Sequence, residues 1–238
     1  MSAAALVRIE GLRFRWPGDN APCLDIARFE MQAGERVFLH GPSGSGKSTL
    51  LGLLGGVLAP ERGSIRLLGQ DLTRLRPAAR DRFRADHVGI IFQQFNLIPY
   101  LSALDNVLLP CRFSARRARL ASTSAESCVG EAERLLDHLD LDNALRRRAA
   151  VQLSVGQQQR VAAARALIGG PEFVIADEPT SALDAARQAG FLDLLLRECG
   201  AAGAALLFVS HDLRLARAFD RTIPLTSLNR ADARLEAA

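Results

Sequence analysis

Two hydrophobic periods divide this chain. Val7-Arg-Ile-Glu-Gly-Leu-Arg-Phe14 alternates apolar and polar residues, as a strand with one buried face does. Arg36-Val-Phe-Leu-His40, Val88-Gly-Ile-Ile-Phe92, Phe173-Val-Ile-Ala176 and Ala205-Leu-Leu-Phe-Val209 are instead short apolar runs, which predict strands covered on both faces. Ala33-Gly34-Glu35 marks a turn, Gly63 to Gly69 a short strand between turns, and Ser48 to Val57 a helix. From Asn96 to about Ala166 the apolar spacing shifts to threes and fours, as in Leu104/Val107/Leu108 and Leu135/Leu136/Leu139, so this stretch is expected to be mostly helical. Within it, Ser114 to Ser127 is polar and reads as a helix end and connector, and Gln157 to Leu167 as a helix. Strands alternating with helices, with polar residues at the strand ends, predict a doubly wound α/β domain carrying a helical insertion.

Composition narrows the setting. With 238 residues and 48% apolar composition, the chain can build one large α/β core with a small subdomain. The longest apolar stretch, Leu50 to Pro60, falls short of the ~20 residues that span a bilayer. The N-terminus lacks the basic region of a signal peptide, so a soluble chain is expected. Cys23, Cys111, Cys128 and Cys199 form no Cys-x-x-Cys pair and read as reduced. The net charge of +4 is modest; Arg116-Arg117, Arg119 and Arg146 to Arg148 read as solvated helix faces, with contact to anionic lipid the second reading. One Trp and one Tyr offer no stacking platform, so no nucleic-acid partner is expected.

One count changes the picture. Of 30 cationic side chains, 29 are Arg; the single lysine, Lys47, lies in a Gly-x-x-x-x-Gly-Lys-Ser phosphate loop. Lysine is a compact point charge that fits between two phosphates, where a planar guanidinium does not. The loop comprises Gly41, Pro42, Ser43, Gly44, Ser45, Gly46, Lys47, Ser48 and Thr49, between a predicted strand and a predicted helix. Backbone N–H groups from Gly44 to Thr49 would hold the β-phosphate of a nucleoside triphosphate, Lys47 the β- and γ-phosphates, and Ser48 a Mg²⁺ ion.

A second site follows the apolar run ending at Ala176. Asp177 and Glu178 are adjacent carboxylates at a strand end; Asp177 suits Mg²⁺, directly or through water, and Glu178 suits a general base that polarises an attacking water. A third segment, Leu153-Ser154-Val155-Gly156-Gln157-Gln-Gln-Arg160, reads by itself as a Ser N-cap opening a polar helix start. Trp16, before Pro17-Gly18, suits packing at a hairpin as well as stacking on a base.

In this order, and over essentially the whole chain, these motifs resemble the nucleotide-binding subunits of ATP-binding-cassette (ABC) transporters. The resemblance implies a P-loop NTPase (RecA-like) α/β core, about 1–93 and 167–238, with an antiparallel β subdomain and a helical signature subdomain at about 94–166. It implies that Trp16 stacks on adenine, that Gln93 contacts Mg²⁺ and the attacking water, and that His211 is the switch histidine beside the γ-phosphate. It makes Ser154, Gly156 and Gln157 the signature, and Ser181 and Asp184 the ends of a loop that communicates across a dimer. The family's usual Leu-Ser-Gly-Gly-Gln has Val155 here in place of its first glycine, and that β-branched residue is expected to stiffen the turn. His40, His87 and His138 have no such context.

The implied function is ATP hydrolysis by a homodimer, or a paired ABC subunit, peripheral on the cytoplasmic face of the membrane and docked on integral membrane permease subunits. A periplasmic or adaptor protein is a further partner of such systems. The segment Phe92 to Pro110 is most similar to the macrolide- and lipoprotein-export group, which often works mechanically outside the membrane. Alternatives are an amino-acid-type importer ATPase, a cell-envelope regulatory complex, and a soluble relative acting on nucleic acid. A simple kinase or GTPase would leave Ser154, Gln157 and the Ser181–Asp184 loop without a role.

Overall fold

A computed structural model of the chain describes residues 5–181 and 183–231. In chain order the elements are β1 (Val7–Phe14), β2 (Leu24–Met31), β3 (Arg36–His40), α1 (Lys47–Leu54), β4 (Arg62–Leu67), β5 (Gln70–Asp71), α2 (Pro77–His87) and β6 (Val88–Ile91). There follow α3 (Ala103–Phe113), α4 (Ala115–Ala125), α5 (Cys128–His138), α6 (Val155–Leu167), β7 (Phe173–Asp177), α7 (Ala185–Ala202), β8 (Ala205–Val209), β9 (Arg221–Pro224) and α8 (Leu225–Leu228). They fall into two compact units, Met1–Arg84 with Leu207–Ala238, and Ala85–Leu206.

The first unit contains an antiparallel sheet in the order β2-β1-β4-β5. Ile9 pairs with Phe29 on one side and Ile65 on the other, and all three are buried. The alternation in β1 changes phase midway: Val7 and Ile9 are buried, then Leu12 and Phe14. The irregularity between Glu10 and Arg13, with Gly11 at φ 58°, inserts the odd residue that keeps both halves facing the core. Gly63 lies opposite, where a Cβ would come within 2.4 Å of the Gly11 carbonyl oxygen. In the same unit β3 runs parallel to β9, and the buried Phe38 stacks on Phe208 at 6.1 Å and meets Phe219 at 5.3 Å. The Ser210 N–H donates to the Leu39 carbonyl.

The second unit pairs β6 with β7 in parallel, Val88 opposite Phe173 through Ile91 opposite Ala176. Against them lies α6, with Val161, Ala162, Ala163 and Ala164 buried. That approach needs Gly89, where a Cβ would sit 2.3 Å from the Ala166 carbonyl oxygen. Helices α3 and α5 pack against α6, and α4 packs against α3 and α5.

Several expectations are corrected. The helix expected over Ser48 to Val57 ends at Leu54, because the Gly55 N–H closes on the Leu51 carbonyl and Gly56 is left-handed. The expected connector between Ser114 and Ser127 is the helix α4, N-capped by the Ser114 hydroxyl, which accepts from the Arg117 N–H. Its buried positions are Arg117 and Ala121, so no apolar stripe announced it. The arginine clusters are not uniformly solvated either. Arg117 is 3% exposed and donates to the Ile168 and Ala166 carbonyls at the end of α6, and Arg146 is buried in an ion pair with Asp137.

Candidate functional site

In the first unit, β3 ends at His40 and α1 begins at Lys47, so the loop between them is a strand-to-helix turn. Gly44 and Gly46 take φ 80° and 95°, a left-handed backbone that favours glycine. A Cβ at Gly46 would lie 2.8 Å from Leu24 Cδ2, so the residue is required by contact as well as by torsion. Gly46 is the N-cap of α1 and no side chain caps that helix, which leaves its N-terminal dipole end for an anion. Lys47 Nζ donates to the Gly41 and Pro42 carbonyls at 2.9 Å each, so the ammonium is curled over its own loop. The Ser45 hydroxyl is buried with no hydrogen-bond partner. Ser48 is exposed, and the buried Thr49 accepts from the Cys23 thiol at 3.6 Å.

The orphaned Ser45 hydroxyl, the uncapped helix and the two left-handed glycines fit a polyphosphate. Mg²⁺ fits the same loop, since that ion takes one or two protein oxygens and fills its shell with phosphate and water. Trp16 is 42% exposed and forms a T-shaped pair with Phe14, the ring centroids 5.1 Å apart. His211 is exposed after β8. Next to it, Asp212 caps the following turn and accepts from the Arg214 guanidinium at 2.6 and 2.8 Å, which holds its carboxyl down at about 2.

In the second unit, Gln93 is exposed at the corner of a turn closed by the Phe95 N–H on the Phe92 carbonyl at 2.9 Å. Asp177 is the last residue of β7, and Glu178 leaves the strand at φ 43°. Beyond it, the Ser181 N–H donates to the Glu178 carbonyl and Asp184 N-caps α7; Ala182 lies outside the described residues. Gln188 reaches back from α7 and donates to the Thr180 and Leu183 carbonyls, so it holds this loop in shape.

Ser154 and Gln157 form a reciprocal capping box at the start of α6. The Ser154 hydroxyl accepts from the Gln157 N–H, and Gln157 Oε1 accepts from the Ser154 N–H at 2.9 Å. The Ser154 O–H and the Gln157 side-chain NH₂ keep their donors. Val155 is the first helical residue and half exposed, so it takes ordinary helical geometry; the glycine it replaces was not needed for the turn. Gly156 faces the loop before α7, where a Cβ would be 3.8 Å from Leu183 Cδ2. Ser154, Val155, Gly156 and Gln157 line an open pocket of about 670 Å³ with Leu183 and Arg187.

The structure thus brings Trp16, the phosphate loop and His211 into one unit, and Gln93, the signature, Asp177, Glu178 and the Ser181–Asp184 loop into the other. Sequence reading missed three residues that shape these segments. Gln188 is one. Asn106, fully buried, exchanges hydrogen bonds with Ile98 and donates to the Leu101 and Ser102 carbonyls. Arg165 donates to the carbonyls of Phe95 and Asn96. A lone cation inside Val161-Ala-Ala-Ala-Arg165-Ala-Leu was the available signal for the last. His87 and His138 pair with Glu172 and Glu198.

Comparison with known proteins gives a consistent result. The family profile described as ABC transporter matches residues 24–181. The lipoprotein-releasing system ATP-binding protein LolD of Hydrogenovibrio crunogenus is 42% identical over 207 residues, covering 87% of this chain and 86% of that protein. The macrolide export ATP-binding/permease protein MacB of Rhodopirellula baltica is 37% identical over 220 residues, 92% of this chain but 31% of the longer relative. Among solved structures, the ATP-binding cassette MJ0796, a dimer in a post-hydrolysis state bound to ADP and Pi, aligns with a TM-score of 0.83 at 34% identity, covering 94% of this chain and 95% of that one.

Proposed function

The chain belongs to the ABC transporter family of ATPases, and from that premise we propose that it hydrolyses ATP as the energising subunit of an export or mechanotransmission system. The observation that carries the dimeric form of this reading is the exposed start of α6. Its capping box presents Ser154 and Gln157 donors in a unit that holds no phosphate loop of its own. The signature of one copy then covers the nucleotide held by the loop of a second copy, and ATP acts as the joint between them. MJ0796, solved as a dimer, supports that assembly.

In this mechanism the Lys47 ammonium leaves the Gly41 and Pro42 carbonyls for the β- and γ-phosphates, exchanging two neutral acceptors for charged ones. Ser45, buried and unpartnered, gains an acceptor. Ser48, Asp177 and Gln93 would hold Mg²⁺, which when bound neutralises phosphate charge and orients the transferred group. Glu178 takes a proton from water, His211 donates to the γ-phosphate, and Trp16 offers its free face to adenine. Ser181 and Asp184 pass the state of one nucleotide site to the other.

Among the described residues no helix is long and apolar enough to cross a membrane. In this reading, which the family membership supports, the work is delivered to integral membrane permease subunits, with the chain peripheral on the cytoplasmic face. The similarity to LolD and MacB favours export-type partners over an amino-acid importer. Affinity capture of tagged chain from detergent-solubilised membranes tests this. Co-purification of a permease with a large extracytoplasmic domain is the expected result. A permease that depends on a substrate-binding protein would move the chain to import, and no membrane partner would move it to a soluble role.

A further inference from the structure

The turn after β6 carries two consecutive non-glycine residues in the left-handed region, Phe95 at φ 59° and Asn96 at φ 48°. L-residues resist this conformation, because Cβ crowds the following carbonyl oxygen. Something must hold the turn, and two contacts add to its own backbone hydrogen bonds. Phe95 is 7% exposed, so its ring anchors one side in the core. On the other side, Arg165 from the last turns of α6 donates from Nη2 to the Phe95 carbonyl at 2.5 Å and from Nη1 to the Asn96 carbonyl at 2.6 Å. The two carbonyls thus meet one planar fork. The residues just before the anchored pair are Gln93 and Gln94, both exposed at the corner of the same turn.

We propose that Arg165 is the positioning residue for Gln93: its guanidinium fixes the left-handed turn that aims Gln93, and it makes that turn move with α6. The inference rests on the role proposed above for Gln93. Arg165 holds the turn through carbonyls, and burial, the one influence on its acidity, lowers the guanidinium's pKa. A charge kept in such a place without a carboxylate is retained for geometry, since two neutral acceptors offset its desolvation less well than an ion pair does. Helix α6 is about 20 Å long at 1.5 Å per residue, and its other end is the Ser154–Gln157 capping box. The Gln93 turn and the signature are therefore on one rigid lever, joined at the far end by a single side chain.

The experiment compares wild type, Arg165→Ala and Arg165→Lys in three readouts: ATP hydrolysis, nucleotide affinity, and amide hydrogen exchange across 92–97. In Arg165→Ala, kcat should fall roughly ten- to hundred-fold, the cost typical of a displaced reacting group. Affinity for a non-hydrolysable ATP analogue should stay within about twofold, since the phosphate loop belongs to the other unit. Exchange at 92–97 should rise while the first turns of α6 stay protected. Arg165→Lys, with one ammonium for two carbonyls, should fall between the two. A folded Arg165→Ala with wild-type kcat overturns the proposal, as does a kcat loss matched by an equal loss of affinity and by exchange rising throughout the second unit. If Arg165→Ala does not fold, the lysine variant carries the same comparison. Absence of ATP hydrolysis in the wild type would instead overturn the proposed function, so the two failures are separable.

Discussion

At Glu178 a carboxylate sits on a backbone that glycine would adopt more readily, at a cost of about 1–2 kcal/mol. That left-handed residue ends β7 and takes the Glu178 side chain out of the strand's alternation. Glu178→Gln keeps the shape and removes the base. Phosphate release should drop at least about a hundredfold, while ATP binding persists and light scattering shows an ATP-dependent dimer. Hydrolysis at the wild-type rate would remove Glu178 from the mechanism. Lys47 makes a second residue-level test. Its replacement by Ala removes a charge-assisted phosphate contact of about 1.5–3 kcal/mol, so nucleotide Kd should rise about 10- to 100-fold in a fluorescent-nucleotide titration. An unchanged Kd would mean that the ammonium stays on the Gly41 and Pro42 carbonyls when nucleotide binds.

Helix α6 makes separable demands on Ser154 at the scale of an element. As N-cap, its oxygen stabilises the helix; in the proposed signature role, its hydroxyl would face a phosphate. Ser154→Ala should cost about 1 kcal/mol of stability and lower Tm by about 2–4 °C for a chain of this size. Ser154→Asp keeps a capping acceptor and should hold Tm near wild type, yet its negative charge opposes the phosphate and should abolish the ATP-dependent dimer. Calorimetry and light scattering on the pair separate the roles, and a dimer formed by Ser154→Asp would place the phosphate elsewhere. The elements were unevenly legible. Strands β1, β3 and β8 were read to the residue because period-two alternation and short apolar runs are strong local signals. Helix α2 was missed because no residue in it is buried, and α4 because a guanidinium and an alanine make its inner face. The phosphate loop, the acidic pair and the signature were legible as contiguous motifs. Gln188, Asn106 and Arg165 were not: each holds backbone carbonyls, within 8 residues for Gln188 and Asn106 and 69 or 70 residues away for Arg165, and a carbonyl acceptor leaves no mark in the sequence.

For the whole molecule, the proposed assembly makes each chain two half-sites. Lys47→Ala spoils a phosphate loop and leaves a signature; Ser154→Asp does the reverse. Each variant alone should be inactive. Mixed in equal amounts, random pairing gives heterodimers with one intact composite site, so hydrolysis should return to at most about a quarter of wild type. A mixture no more active than its components would argue against sites shared between copies.

The imbalance of 29 arginines to one lysine also makes the chain its own reporter. An acylating ester that attacks primary amines has one side-chain target here, and it is the group proposed to meet the phosphates. A protease cleaving after lysine has one place to cut, inside the nucleotide cradle. Nucleotide occupancy is therefore readable by mass spectrometry in a crude mixture, as protection of a single peptide, with no engineered label and no purified partner.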